Sequence, residues 1–322
     1  MNKIKELSII AAALLVAVPA SAQTWPTRTV RIIVPYAAGG NTDYTARTVA
    51  AKVTEMWGQQ VVVDNRPGGG TNIGSELAAT AAPDGYTLFM GGASNAINMT
   101  LYSKPPYNTA RDFAPVVWCV QGAALLAAHP SLPARNVKEL IALAKSKPGQ
   151  LNYGSAGLGS SNHMAGELMK FMAGINIVHV PYKGNAPSIT DTISGNVEMV
   201  FSGVPALVPH IQPGGRLRAI AISSLQRFPA VPDVPTFDES GVKGYEASNW
   251  FGLMAPIKVS RDIINKVNAD VNKALAMKDV RDKFSHDGLI TKGGSIEVFD
   301  KFIRAETDKY ANVIKKAGIK PL

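Results

Sequence analysis

The chain has 322 residues, 46% hydrophobic and 18% charged, with a formal net charge of +9. That balance excludes a disordered chain, and the length suffices for two domains with a large buried core. The positive charge favours anionic ligands, but no Lys/Arg run interleaved with aromatics offers a nucleic-acid site, so no nucleic-acid partner is expected.

The N-terminus reads as a secretory leader. Lys3 and Lys5 precede an apolar stretch over residues 7–18, and Ala20-Ser21-Ala22 fits the small-x-small cleavage pattern. The apolar stretch is shorter than the roughly 20 residues of a membrane span. Residues 1–22 are therefore expected to be a signal peptide cleaved after about Ala22, and the mature chain to be exported and soluble.

Residues 30–34 form a near-continuous apolar run of strand length, as expected of a strand covered on both faces. Pro35 ends it, because it brings no N–H to a ladder. After Tyr36, the turn Ala38-Gly39-Gly40 can bend tightly and leaves its amides unshielded. Asn41 or Thr42 then caps a helix with Ala46, Val49, Ala50, Val53 and Met56 at intervals of three and four. Free N–H groups and the positive end of a helix dipole meet at one spot, which suits an anion. Asp43, in the first turn, is open to two readings: a polar contact in a cleft, or a carboxylate answering the dipole and pairing with Arg47.

Gly58 stops that helix. A second strand is expected over 60–63, a loop over 64–70, a helix over 73–82 and a third strand over 87–90. After that strand comes an open polar turn, Gly91 to Asn95, that offers Ser94 and Asn95. Alternating strands and helices imply a parallel sheet with right-handed crossovers. Residues 113–129 read as a long strand leaving one domain for another. Cys119 lies inside it; as the only cysteine it forms no intrachain disulfide, and its apolar neighbours point to a buried core thiol.

A helix over 136–146 and a strand over 151–155 lead into a second glycine turn, Ser155-Ala156-Gly157-Leu158-Gly159-Ser160-Ser161, and a helix over 162–173. Hydroxyls and amides again converge at a helix start, as an anion cradle or as an ordinary N-cap. Strands over 177–180, 197–201 and 217–222 follow, with helices near 188–194 and 206–211. Residues 228–244 form a loop-rich return, residues 250–255 a strand passing back, and two helices close the chain, one capped by Ser260 and one over 296–317. The organisation is thus α/β, with domain 1 over 23–122 and 247–322 and domain 2 inserted over 123–246. Two crossings make a hinge that can close on a ligand.

Turns at the carboxyl ends of strands supply the candidate ligand-binding residues. They are Tyr36, Ala38, Gly39, Gly40, Asn41, Thr42, Asp43, Ser94, Asn95, Ser155, Ala156, Gly157, Gly159, Ser160, Ser161, His163, Lys183 and Ser202. Lys183 either faces an anion across the cleft or is a solvated turn lysine. His163 and Glu167 share a helix face without further metal ligands, so no metal site is expected, and His179 reads as a satisfied core histidine. A secreted serine hydrolase using Ser155 or Ser160 with His163 is a competing reading. Against it, Tyr153 stands where the G-x-S-x-G elbow needs its first Gly. No nucleotide fingerprint is present and no cofactor is expected.

Nine blocks carry a family resemblance. The first five are Trp25-Pro26 with VRIIVPYAAGGNTD (30–43), DNRPGGGTNIG (64–74), PDGYTL (83–88), DFAPV (112–116) and YGSAGLGSSNH (153–163). The others are HVPYKG (179–184), LRAIA (217–221), VPDVPT (231–236) and WFGLMAP (250–256). Together they resemble the extracytoplasmic solute-binding receptors of tripartite tricarboxylate transporters, the TctC or Bug family. Asn72, Asn108 and residues 257–260 depart from the usual pattern in loops. The resemblance implies a monomeric, non-enzymatic periplasmic clamp of the type II binding-protein class. It also implies that the two turns hold a carboxylate through backbone amides and bridging waters. The aliphatic or aromatic di- or tricarboxylate would pass to a two-subunit inner-membrane permease (TctA/TctB-like). A sensory binding protein that presents a carboxylate to a membrane kinase is the alternative partner assignment.

Overall fold

The computed structural model describes residues 25–286, 288–316 and 318–322; the expected leader lies outside the described residues. β1 (Val30–Val34) is buried almost throughout and lies between β2 (Val61–Asn65) and β3 (Thr87–Gly92), parallel to both. α1 (Asn41–Trp57) and α2 (Asn72–Ala79) are the crossovers. Ile33 faces one apolar cluster and Val30, Ile32 and Val34 the opposite one, the two-residue alternation of a strand covered on both sides. α1 ends at Gly58, where φ is 63°.

β3 continues to Gly92 and α3 (Ala93–Leu101) starts at once, so residues 91–95 are not the open turn expected from their polarity. Ala93, Ala96, Ile97 and Leu101 recur at helical spacing and are buried, a pattern that Ser94 and Asn95 obscure in the sequence. A short α4 (Thr109–Asp112) precedes β4 (Phe113–Ala128), the longest strand.

β4 joins the two lobes. Up to Ala123 it pairs antiparallel with β9 (Ser248–Pro256), which also pairs antiparallel with β3. From Ala124 onward it pairs antiparallel with β7 (Met199–Gly203) and β8 (Arg218–Ile222). Beyond β7 lie β5 (Asn152–Ser155) and then β6 (Val178–Pro181), both parallel. The sheet is therefore mixed rather than wholly parallel. The outer strands of each lobe run parallel through helical crossovers, while β4 and β9 carry the chain between lobes in opposite directions. In the second lobe α5 (Val137–Ser146), α6 (Ser161–Ala173), α7 (Asn185–Ile193) and α8 (Val204–Ile211) cover the sheet. Its two faces again alternate along β4, with Leu126 and Ala128 on one side and Leu125 and Ala127 on the other.

α9 (Arg261–Ala276) is capped by Ser260, and α11 (Ile296–Lys316) closes the chain. Between them lie α10 (Lys278–His286) and β10 (Leu289–Thr291), which the sequence did not signal; β10 adds to the edge of β4 at Val120–Gly122. Cys119 is fully buried, and burial pushes its thiol up to about 12, an inert core group. Among the described residues no helix is long and apolar enough to cross a membrane.

Candidate functional site

Each of the two glycine turns joins a parallel strand to a helix, β1 to α1 and β5 to α6, so both open at the carboxyl edge of their sheet. In the first, Gly39 takes φ 85°, while Gly40, the N-cap, is extended at φ −91° and ψ 172°. In the second, Gly157 and Gly159 take φ 120° and 72°, and Ser160 caps α6 by accepting the His163 amide at 3.1 Å. The turns face each other across the lobes. Ala37 N–H donates to the Lys183 carbonyl at 3.0 Å, closing one side.

Between them lies a cavity of about 20 Å³. Tyr36, Gly40, Asn41 and Thr42 line it from the first lobe, and Ala156, Ser160, Ser161, Asn162 and Asn185 from the second. Asn249 and Phe251 of β9 complete it. None of these carries a charge at neutral pH, since burial raises the Tyr36 hydroxyl above its usual range. The first-turn amides of α1 and α6 have no intrahelical acceptor, and both helix dipoles direct positive ends here. Asn41 is 2% exposed, and neither of its side-chain amide atoms has a partner among the described residues. A neutral chamber with such donors suits one carboxylate or its bridging water.

Several glycine-turn amides are already committed. Gly39 N–H bonds Asp43 at 3.0 Å, Gly157 N–H bonds Ser155 Oγ at 3.0 Å, and Gly159 N–H bonds His163 Nδ1 at 3.3 Å. These bonds fix the shape of the turns, and with His163 N–H held by the Ser160 cap the donors left to face the cavity are the earlier amides of each helix. Asp43 also accepts from Arg47 Nε at 2.9 Å and from Asn65 Nδ2 at 3.0 Å. Burial pulls its pKa upward, but bonds from Arg47, Gly39 and Asn65 hold it below the usual carboxylate value. Of the two readings of Asp43, the geometry gives the one that braces the turn.

Ala38 and Gly39 lie on the exposed side of the turn. Asn95 is internal: its carbonyl oxygen accepts from Gly92 N–H at 3.0 Å and its amide donates to Ser75 at 3.2 Å and Tyr107 at 3.3 Å. Ser94, in the first turn of α3, and Ser202, near the end of β7, are buried and do not line this cavity. Sequence reasoning missed Asn162, Asn185, Asn249 and Phe251. Asn249 Nδ2 donates to Asn162 Oδ1 at 3.2 Å and Asn162 Nδ2 to Asn185 Oδ1 at 2.8 Å, while Ser161 Oγ bonds Asn249 Oδ1. This amide chain ties β9 to α6 and α7. Its available signal was the position of Asn162 and Asn185 directly after strand-ending turns.

Ser155 and Ser160 do not pair with the His163 ring. Ser155 Oγ lies 2.6 Å from His179 Nε2, and Ser160 caps the helix. His179 stacks on His163, with centroids 4.2 Å apart, and among the described residues no carboxylate is bonded to it. Burial, with His163 and Lys170 nearby, pushes it down to about 2, so it resists the proton a general base must accept. Glu167 bonds Tyr153 and Lys170 instead. Among the described residues no group of three or more His, Cys, Asp or Glu is placed to hold a metal.

A family model described as the tripartite tricarboxylate transporter family receptor (TctC) matches residues 45–319. Protein BugT of Bordetella pertussis is 35% identical over 325 residues, 99% of each chain. Among solved structures, R. palustris Rpa4515 with adipate matches with a TM-score of 0.89 at 37% identity, covering 92% of this chain and 100% of that one. MatC from Rhodopseudomonas palustris with bound malate gives 0.86 at 30% identity, covering 90% and 100%.

Proposed function

Because the chain belongs to the tripartite tricarboxylate transporter receptor family, whose members are periplasmic solute-binding proteins rather than enzymes, we propose that it captures a small carboxylate between its lobes and delivers it to a two-subunit membrane permease. The observation that carries this reading is the convergence of two helix N-termini on one neutral cavity lined by the buried Asn41, whose side-chain amide has no partner among the described residues. The adipate- and malate-bound relatives support the same ligand class. Several charge-assisted hydrogen bonds would each contribute roughly 1.5–3 kcal/mol net.

The rest of the proposal follows from chain path and sequence. Residues 23–122 and 247–322 form one lobe and residues 123–246 the other, with β4 and β9 as the hinge. The leader is cleaved after about Ala22, and the mature receptor acts as a monomer. A cavity of about 20 Å³ is far below the roughly 300 Å³ of a small ligand pocket, so entry requires the lobes to part. Thermal-shift screening tests the ligand class: carboxylates are expected to raise the melting temperature, because a ligand of the folded state stabilises it. Stabilisation by neutral sugars and by no acid would overturn the proposal.

A further inference from the structure

A larger cavity lies behind the strands that join the lobes. Ala123 of β4 pairs with Ser248 of β9, so their side chains share one face of the sheet, and Asn249, the next residue of β9, points to the opposite face. Asn249 lines the cavity between the glycine turns, whereas Ala123 and Ser248 line a separate one of about 470 Å³. Its floor is apolar and buried, formed by Ala123, Phe228, Ala247 and Leu289. Leu225 and Ile290, both exposed, form its rim, one from each lobe. Of the described residues that line it, two are charged. Arg227 is committed to Glu239 at 2.9 Å and to the Pro232 carbonyl at 3.2 Å. Glu246 is exposed and enters no ion pair among the described residues, so one negative charge is left uncompensated. The same cavity touches the contact between lobes. A Cβ at Gly288 of the first lobe would meet Val204 at 2.8 Å and Phe228 at 3.3 Å in the second. Gly203, the residue before Val204, packs so closely on the cleft-lining Asn41 that a Cβ would overlap its amide. Adjacent residues at the start of α8 thus touch the cleft and the cavity behind it.

We propose that this cavity is an effector site for a small organic cation, an amine carried on an apolar body, and that its occupation holds the lobes together. A floor of this size and character takes a ring or a short branched chain. At the rim the Glu246 carboxylate pairs with the ammonium while both stay partly hydrated. A carboxylate would meet Glu246 as a like charge, so the ligand of the cleft is turned away. The cavity lies on the face of β4 and β9 opposite the cleft. Bending these strands to open the cleft therefore brings its two walls, residues 223–229 and 288–290, together. An occupant that fills the cavity of the shut clamp opposes that motion. It has a higher affinity for the shut state, so it tightens binding in the cleft, and the cleft ligand tightens binding of the amine by the same factor. The coupling rests on the carboxylate reading above; the site does not.

Calorimetric titration with phenethylammonium chloride and with neutral 2-phenylethanol tests the site on wild type, Glu246→Gln and Glu246→Lys, all changes at an exposed position. Wild type is expected to bind the amine about threefold more tightly than the alcohol. Glu246→Gln removes that preference and Glu246→Lys reverses it. Adipate is then titrated with and without saturating amine. Its affinity for wild type is expected to rise by about threefold with the amine, and its affinity for Glu246→Lys to stay within about twofold of the amine-free wild-type value in both conditions. If neither probe binds, or if amine and alcohol bind wild type alike, the cation site falls. If the amine binds and adipate affinity does not rise, the effector role falls. If adipate does not bind wild type at all, the carboxylate reading falls, and the dependence of amine binding on Glu246 still decides the site. Small-angle scattering then decides the effector role: the amine alone must lower the radius of gyration of wild type and not that of Glu246→Lys.

Discussion

The main-chain amide of Ala37 and the carbonyl of Lys183 form a 3.0 Å hydrogen bond across the cleft, linking the turn after β1 to the turn after β6. The next residue, Gly184, has φ 154°, and a Cβ there would lie 3.0 Å from the Ala37 Cβ and 3.1 Å from its nitrogen. The glycine thus permits both the turn and the approach of the lobes.

Replacing Gly184 with Ala is therefore expected to hold the clamp ajar. Small-angle scattering should show the wild-type radius of gyration falling when a saturating carboxylate is added and that of Gly184→Ala staying near its unliganded value. Affinity should drop by about tenfold, equivalent to 1.4 kcal/mol. A variant that contracts as the wild type does would remove this contact from the closing mechanism.

Gly40 acts by space rather than by backbone conformation. Its φ of −91° is open to any residue, and a Cβ would sit 3.7 Å from Asn185, an ordinary contact. Gly40→Ala is thus expected to fold and bind nearly normally. Gly40→Val places methyl groups in a cavity of about 20 Å³ and should lower affinity by more than about tenfold, with circular dichroism unchanged. Equal affinities for the two variants in calorimetry would show that the carboxylate lies elsewhere.

Much of this arrangement was legible because glycine turns after apolar strands are local signals. β1, α1, β5 and α6 lie within a residue or two of their sequence-based bounds. α3 was not, because Ser94 and Asn95 look like a polar turn until the partners of Asn95, Ser75 and Tyr107, are in place. The direction of β4 and β9 was hidden too, since apolar runs do not encode parallel or antiparallel pairing. The spatial neighbours of the site were harder still. Asn249 reaches Asn162 from 87 residues away, and His179 rather than His163 meets Ser155.

Acid should loosen the second turn first. Burial is the main reason that His163 titrates down at about 4 and His179 at about 2, against an ordinary 6.5. Glu167 opposes the shift at His163, while Lys170 adds to it at both rings. Folded-state values below unfolded ones mean that the unfolded chain takes up protons first as pH falls below about 6.5. The stability contribution is complete above that pH and is lost down to about 4 for His163, on the order of 3 kcal/mol. Urea unfolding at pH 7.0 and 4.5 should show the loss. His163→Asn, which keeps an acceptor for Gly159 N–H, should reduce it by roughly half, because His179 also stays neutral in the fold over that interval. An equal loss in that variant would move the acid sensitivity to other groups.

Asp43 gives the sharpest separation of bracing from binding. Its buried carboxylate holds Gly39 N–H, Arg47 and Asn65, and Asn65 Nδ2 also donates to the Tyr36 carbonyl at 3.0 Å, so one network sets the path of the first turn. Asp43→Ala removes the acceptor of three part-buried or exposed donors, Gly39 N–H, Arg47 Nε and Asn65 Nδ2, and is expected to cost about 1–3 kcal/mol in all. Asp43→Asn keeps one oxygen acceptor but loses the charge that pairs with Arg47, a milder defect. If the carboxylate only braces the turn, Asp43→Asn should lower the melting temperature, and affinity should fall by less than about threefold for every acid tested. Were Asp43 instead beside the bound anion, removing its negative charge would relieve repulsion. Affinity would then rise, most for the more highly charged acids and most at low salt. Melting curves and calorimetric titrations of the same Asp43→Asn preparation decide between these. Tighter binding with unchanged stability would place the residue in the cleft and overturn its structural role.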